Sequence, residues 1–240
     1  MINSNKQYLY SKTLVLEFLS SEKSNQAVKL YINPLKKSNL SHIIKLAKQK
    51  NIPIITTNFV KFKNQIEDYE NIPVVLEISS FKYHTLEDIL DNKTTLNVVV
   101  LAYKVKDPRN LGAIIRNCSA FDVKGLLITS KDSCPVNNTV INASRNSPLL
   151  IARINNCLSI IKLLQNKGYE CFCLDIKGQI DIQNLKPPKN SKILLVLGGE
   201  KGLDNSIKQN CKTIRIPIKN IESLNTSVAL GIFLYHLSII

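Results

Sequence analysis

Three short stretches hold more glycine and polar residues than their apolar surroundings explain: DPRNLGAIIRN at 107–117, LVLGGEKGLDNS at 195–206 and IPIKNIESLNTS at 216–227. In the first, Leu111, Ile114, Ile115, Cys118 and Phe121 fall on one helical face, while Gly112 and Arg116, four apart, share another. A guanidinium above a residue without a side chain can reach a phosphate or a ribose, and the plain alternative is a solvated surface arginine. In the second, two glycines after an apolar strand let backbone amides approach a ligand without Cβ clashes, although a simple turn uses the same residues. GGEKG satisfies neither the phosphate-binding G-x-x-x-x-G-K-[ST] pattern nor the dinucleotide G-x-G-x-x-G spacing, which leaves a kinase or a dehydrogenase without its phosphate loop. In the third, Ser223 or Asn225 can cap the closing helix, but Glu222, Ser223, Asn225 and Thr226 crowd around Leu224, and one cap needs one residue.

The elements that must position these loops are read from periodicity. Residues 1–92 are expected to form a small α/β unit, with helices at about 11–20 and 39–50 and strands at 28–32, 52–56 and 73–78. A short acidic helix then leads to a joint at Asp91–Thr95. From there to residue 240 the pattern changes to apolar strands (LNVVVLA, GLLIT, ECFCLDI, KILLVLG, TIRIPI) alternating with helices near 111–121, 156–167 and after Ser223. Strands so uniformly apolar are buried on both faces, which predicts a mostly parallel sheet between helices, with ligands off the carboxyl ends of its strands.

Composition narrows the partners. The formal charge of +14 fits a polyanion, although lysine, asparagine and isoleucine enrichment of this kind also follows from an A/T-rich genome. Only five of the 32 basic residues are arginine, and all lie beyond residue 108: Arg109, Arg116, Arg145, Arg153 and Arg215. In a lysine-using chain, arginine marks places where a planar, bidentate donor is needed. The six cysteines lack paired C-x-x-C spacing and read as free thiols of a reducing compartment; with three scattered histidines they offer little for a metal. The opening residues are polar, and the most apolar run, Val228–Ile240, is shorter than a bilayer span, so the chain is expected in the cytoplasm with no membrane segment.

Taken in order, D-P-x-N-L-G-A-I-I-R-N, L-V-L-G-G-E-K-G-L and I-P-I-x-x-x-x-S-L-N-T-S-V-A resemble the three motifs of the SpoU/TrmH family of SPOUT RNA ribose 2'-O-methyltransferases. Upstream, YLYSKTLVLEFL, VKLYI, the AKQKNIPI run and VVLEISSFKYHTLEDIL resemble the family's N-terminal RNA-binding domain. The resemblance implies a C-terminal trefoil-knotted domain (93–240) that works as a homodimer, preceded by an RNA substrate-binding domain (1–92). It implies S-adenosyl-L-methionine as cofactor, held at Gly198, Ile216 and Leu224 with Leu197, Gly199 and Pro217 as neighbours. It implies that Arg116 acts on the ribose hydroxyl or its phosphate, and that Asn110, Glu200, Ser223 and Asn225 complete the site. An arginine is a costly base at neutral pH, so orienting a phosphate and stabilising an alkoxide suit Arg116 better; Glu200 either takes the proton or orients Arg116. The RNA implied is ribosomal, at a guanosine of the large subunit, with transfer RNA, or a homologue that has lost catalysis, as alternatives.

Three departures from the family accompany these motifs. Motif two is one residue short, SRNSP (144–148) stands where small residues are expected and implies a wider or more polar substrate entrance, and Asn71, Ile72 and Pro73 replace a His-Gln-Gly.

Overall fold

Strands Val98–Ala102 and Ile193–Leu197 are almost wholly buried, and that burial sets the architecture around them. In the computed structural model, residues 6–36, 39–66 and 68–240 are described; the polar start that argued against a secretory signal lies largely outside them. The chain divides into two units, Met1–Lys82 with Val136–Asn146, and Tyr83–Pro135 with Ser147–Ile240.

The first unit opens with β1 (Gln7–Leu9), α1 (Lys12–Ser20), β2 (Ala27–Ile32), α2 (Ser41–Gln49), β3 (Ile54–Thr56) and β4 (Val74–Ile78). Its sheet runs β1-β4-β2-β3, antiparallel except for the β2–β3 pair. Leu14, Val15, Phe18, Ile43 and Ala47 bury the two helices on one face, while Tyr8, Tyr31, Phe59 and Phe62 pack on the other.

The second unit begins with α3 (Leu86–Asp91), β5 (Leu96–Tyr103), α4 (Pro108–Ala120) and β6 (Val123–Thr129). The expected joint at Asp91–Thr95 therefore lies inside this unit, because Ile89 of α3 is fully buried in its core. The chain then returns to the first unit with α5 (Asn138–Ala143), where Asn138 accepts from the Tyr8 amide and Asn142 from that of Tyr10. Two asparagines one turn apart thus satisfy the open edge of β1.

The rest of the second unit is β7 (Ile151–Ile154), α6 (Cys157–Asn166), β8 (Glu170–Leu174), β9 (Ile180–Asp181), β10 (Ile193–Gly198), α7 (Asn205–Lys208), β11 (Lys212–Arg215) and α8 (Thr226–Ser238). Its seven strands are ordered β7-β6-β5-β10-β8-β11-β9, and every pairing is parallel. α3, α6 and α7 bury Ile89, Ile161, Leu164 and Ile207 on one face. On the other, α4 packs against α8 and Phe172 of β8 meets Phe233 of α8. Both faces are covered, as uniformly apolar strands require. No helix of the described residues is long and apolar enough to cross a membrane.

Candidate active site

The carboxyl ends of β8, β10 and β11 open into a cleft of about 660 Å³. Leu197, Gly198, Gly199, Glu200, Ile216, Ser223, Leu224 and Asn225 line it, together with Asn110 from the first turn of α4. The three stretches singled out in the sequence therefore meet at one place. Two of the expected residues stand outside this wall: Pro217 and Arg116.

The glycine turn owes its shape to close backbone approach. After β10, Gly199 donates to the carbonyl of Tyr103 at 2.8 Å, and a Cβ at Gly199 would stand 2.2 Å from the carbonyl oxygen of Lys104. Gly202 closes the turn by donating to Gly199 O at 2.9 Å with a φ of +73°, the left-handed region that favours glycine. Tyr103 donates its hydroxyl to Asp204, which also pairs with Lys104 at 3.0 Å, so the turn is clamped on both sides to the end of β5.

Glu200, in this turn, reaches the start of α4. Its carboxylate accepts from the amides of Lys106 (3.3 Å) and Asp107 (3.1 Å), and Asn110 Nδ2 stands 3.5 Å away. Burial pushes its carboxyl up, but its own amide, those of Asp107 and Lys106, and Asn110 outweigh that and hold it below the usual glutamate range. Glu200 is thus an anion spent on positioning α4, a helix whose own cap is Asp107 accepting from Arg109 N at 2.8 Å. It makes no hydrogen bond or ion pair with Arg116 among the described residues.

From Asn110 the network continues to the last helix. Asn225 Nδ2 donates to Asn110 Oδ1 at 2.9 Å, and Asn225 Oδ1 accepts from the amide (2.9 Å) and hydroxyl (2.7 Å) of Ser227. The cap of α8 is therefore Asn225, which leaves Ser223 exposed on the cleft wall with no capping duty. Thr226, not assigned a role from sequence, donates to the carbonyl of Gly198 at 3.0 Å and ties the second motif to the third. Asn117 donates to Ser227 O at 2.6 Å, stitching α4 to α8.

Arg116 is exposed on α4 and makes no hydrogen bond or ion pair among the described residues. Gly112, four residues earlier, is buried, so the backbone below Arg116 is covered where sequence reasoning expected it open. Arg145 of the SRNSP segment pairs with Glu17 of α1, within the first unit.

A second cleft of about 680 Å³ shares Glu200, Lys201 and Gly202 with the first. Lys104, Lys106, Arg109 and Lys201 line it alongside Asp107 and Asp132. Four cations therefore face the three carboxylates Asp107, Asp132 and Glu200, and one of the four, Lys104, is paired with Asp204. A cleft with one apolar wall and one polar, beside a second lined by three lysines and an arginine, suits an adenine-bearing ligand next to a phosphodiester.

The sequence model of the SpoU rRNA Methylase family matches residues 97–235. An uncharacterized tRNA/rRNA methyltransferase of Borreliella burgdorferi is 32% identical over 94% of this chain and 92% of its own length. Another, from Mycoplasma genitalium, is 34% identical over 79% of this chain and 81% of its own. In fold, the chain is similar to the SpoU methyltransferase AviRb from Streptomyces viridochromogenes in complex with AdoMet. That match has a TM-score of 0.75 and 20% identity, covering 97% of this chain and 89% of that one.

Proposed function

The chain belongs to the SpoU rRNA Methylase family, and from that premise we propose that it transfers the methyl group of S-adenosyl-L-methionine to a ribose 2'-hydroxyl of RNA, at a guanosine of large-subunit ribosomal RNA. One observation carries this reading: all three motifs line a single cleft that adjoins a second lined by three lysines and an arginine. The residues present fit the cofactor. Leu197, Ile216, Ile218 and Leu224 offer apolar walls for an adenine, and Gly198 and Gly199 add no side chain to the wall between them. When bound, the cofactor supplies a methyl group on a sulfonium.

The chain's own residues supply alignment. Leu197, Gly198, Gly199, Ile216 and Leu224 hold the cofactor, with Pro217 as a neighbour in sequence. Asn110, Ser223 and Asn225 present polar tips where the ribose enters, and Lys104, Lys106, Arg109 and Lys201 receive the RNA backbone. Arg116 orients a phosphate and stabilises the developing alkoxide. Glu200 keeps α4 in place, and the amides that hold its carboxyl below the usual glutamate range make it a weaker base. Positioning of this kind is worth effective molarities of about 10⁵ M or more.

The wider assembly follows the same reading. A trefoil threading of the second unit is supported by the return of the chain from β11 through Ile216–Asn225 to Gly198 and α4. Val228, Ile232 and Tyr235 form an exposed apolar stripe on α8 that Ile239 continues at its C-cap, which supports a homodimer through this helix. The first unit, with its lysines, serves as the RNA-binding domain, and the free cysteines accord with the cytoplasm.

The test is methyl transfer from labelled cofactor to ribosomal RNA taken from cells lacking the gene, followed by mapping of 2'-O-methyl positions. A single large-subunit guanosine is the expected product. Transfer into transfer RNA alone would move the target, and cofactor binding without transfer to any RNA would make the chain a non-catalytic homologue.

A further inference from the structure

Asp175 is a half-buried carboxylate in the cofactor cleft that the chemistry above leaves unused. It follows β8, lines the cleft, and its side chain is only 16% exposed. The loop that carries it is held on three sides. Asp175 N donates to Ile214 O at 2.9 Å and Gly178 N to Asp175 O at 3.0 Å, while a Cβ at Gly178 would strike the Ile214–Arg215 backbone at 2.4–2.5 Å. The carboxylate itself is fixed: Oδ1 accepts from Lys177 N at 2.8 Å and Oδ2 pairs with Lys208 Nζ at the end of α7. Burial pushes this carboxyl up, but Lys208 and the Lys177 amide outweigh it, so the group is an anion.

We propose that Asp175 is a cofactor-binding residue whose carboxylate receives the ribose diol of the nucleoside held in this cleft. The inference rests on the methyl-transfer reading above. Each carboxylate oxygen has one partner and a spare lone pair, so two adjacent hydroxyl donors match what remains. The cofactor's other donor groups fit less well. Its α-ammonium would share the carboxylate with Lys208 and meet a like charge, and an adenine suits the apolar walls of Leu174, Leu197, Ile214, Ile216 and Leu224. Glu200, the other carboxylate on the wall, is already occupied by the start of α4. Lys208 has a positioning part: it holds the carboxylate charged and in one orientation.

The experiment is calorimetric titration of the full chain with S-adenosylhomocysteine and with its 2',3'-dideoxy counterpart, for wild type and Asp175→Asn. Wild type is expected to bind the dideoxy compound about tenfold or more weakly than the parent, and Asp175→Asn to bind the parent weakly by a similar factor. The two losses should not add, because both remove the same contact. Equal affinity of wild type for the two ligands overturns the inference, and so does unchanged parent binding by Asp175→Asn or a full additional loss when variant and dideoxy ligand are combined. If melting shows that Asp175→Asn does not fold, Asp175→Glu, which keeps the charge and moves the oxygens, takes its place in the same comparison and must lose the difference between the two ligands for the inference to stand. Failure of wild type to bind S-adenosylhomocysteine at all is a different result: it sinks the methyl-transfer reading, and this inference with it.

Discussion

The side-chain amide of Asn225 donates to Asn110 Oδ1 at 2.9 Å, joining the first turns of α8 and α4 across 115 residues of chain. The same Asn225 caps α8 through its oxygen, so its two ends do separable work. Asn225→Ala should lose about 1–2 kcal/mol of stability with the cap. Asn225→Asp keeps the cap, loses the bridge, and should melt near wild type while methyl transfer falls. Ser223→Ala, which removes no cap, should stay within about 0.5 kcal/mol. Urea unfolding and methyl-transfer rates measured side by side check all three; a Ser223→Ala loss of cap size would return the cap to Ser223.

Arg116 provides the opposite case, a side chain with no structural duty. It is exposed and unpaired among the described residues, so Arg116→Ala should leave stability within about 0.5 kcal/mol. If it stabilises the alkoxide, methyl transfer should fall by about 10²–10³-fold. Arg116→Lys should recover little, since a point charge lacks the planar fork. Equal incorporation by wild type and Arg116→Ala would remove the residue from the mechanism.

Gly199 and Gly202 look alike in sequence and differ in what they meet. A Cβ at Gly199 would overlap Lys104 O at 2.2 Å, whereas Gly202 has open space but a φ of +73°. Gly199→Ala must push β10 off the end of β5 and should cost the upper part of the about 1–3 kcal/mol typical of overpacking, with loss of cofactor binding. Gly202→Ala pays only left-handed strain, about 1 kcal/mol. Thermal melting with and without S-adenosylhomocysteine distinguishes them.

What was legible in the sequence follows from which signals are local. β5 and β10 were readable because burial on both faces leaves no alternation to misread, and the three loops because their polar content exceeds what turns need. The short strands β7 and β9 escaped notice, as four and two residues carry no period. α5 belongs to the first unit because Asn138 and Asn142 satisfy β1, a pairing some 130 residues apart that no window detects. Ser223 and Asn225 are equally good caps by type; the backbone path into α8 selects Asn225. Asp175 was hidden inside the apolar run ECFCLDI, although an acidic residue ending a buried strand was the available signal.

Glu200 makes a prediction about pH. Its folded pKa lies below its ordinary value, so its contribution to stability is present above the unfolded pKa of about 4.3 and is lost as pH falls through the folded value. Glu200→Gln should therefore be less stable than wild type at pH 7, with the difference shrinking below about pH 4. Because the carboxyl stays ionised, methyl transfer should show no inflection from Glu200 between about pH 6 and 8. Denaturant titrations across this range test the first statement and a pH–rate profile of wild type against Glu200→Gln the second; an inflection near neutrality that the variant abolishes would restore Glu200 as a base.

α8 is apolar on more sides than its own unit covers. Leu230, Phe233, Leu234 and Leu237 are buried, yet Val228, Ile232, Tyr235 and Ile239 stand 49%, 36%, 59% and 61% exposed on another side. Spacings of four and three residues put the first three on one stripe, which Ile239 continues at the C-cap, the pattern of a helix that meets a second helix. A second copy of this chain offers the same stripe, and two-fold pairing would cover both at once. Wild type should sediment as a dimer, and the pair Ile232→Lys and Tyr235→Glu as a monomer with an unchanged far-ultraviolet spectrum, since neither side chain is in the core. A monomeric wild type at micromolar concentration would leave the stripe without this partner.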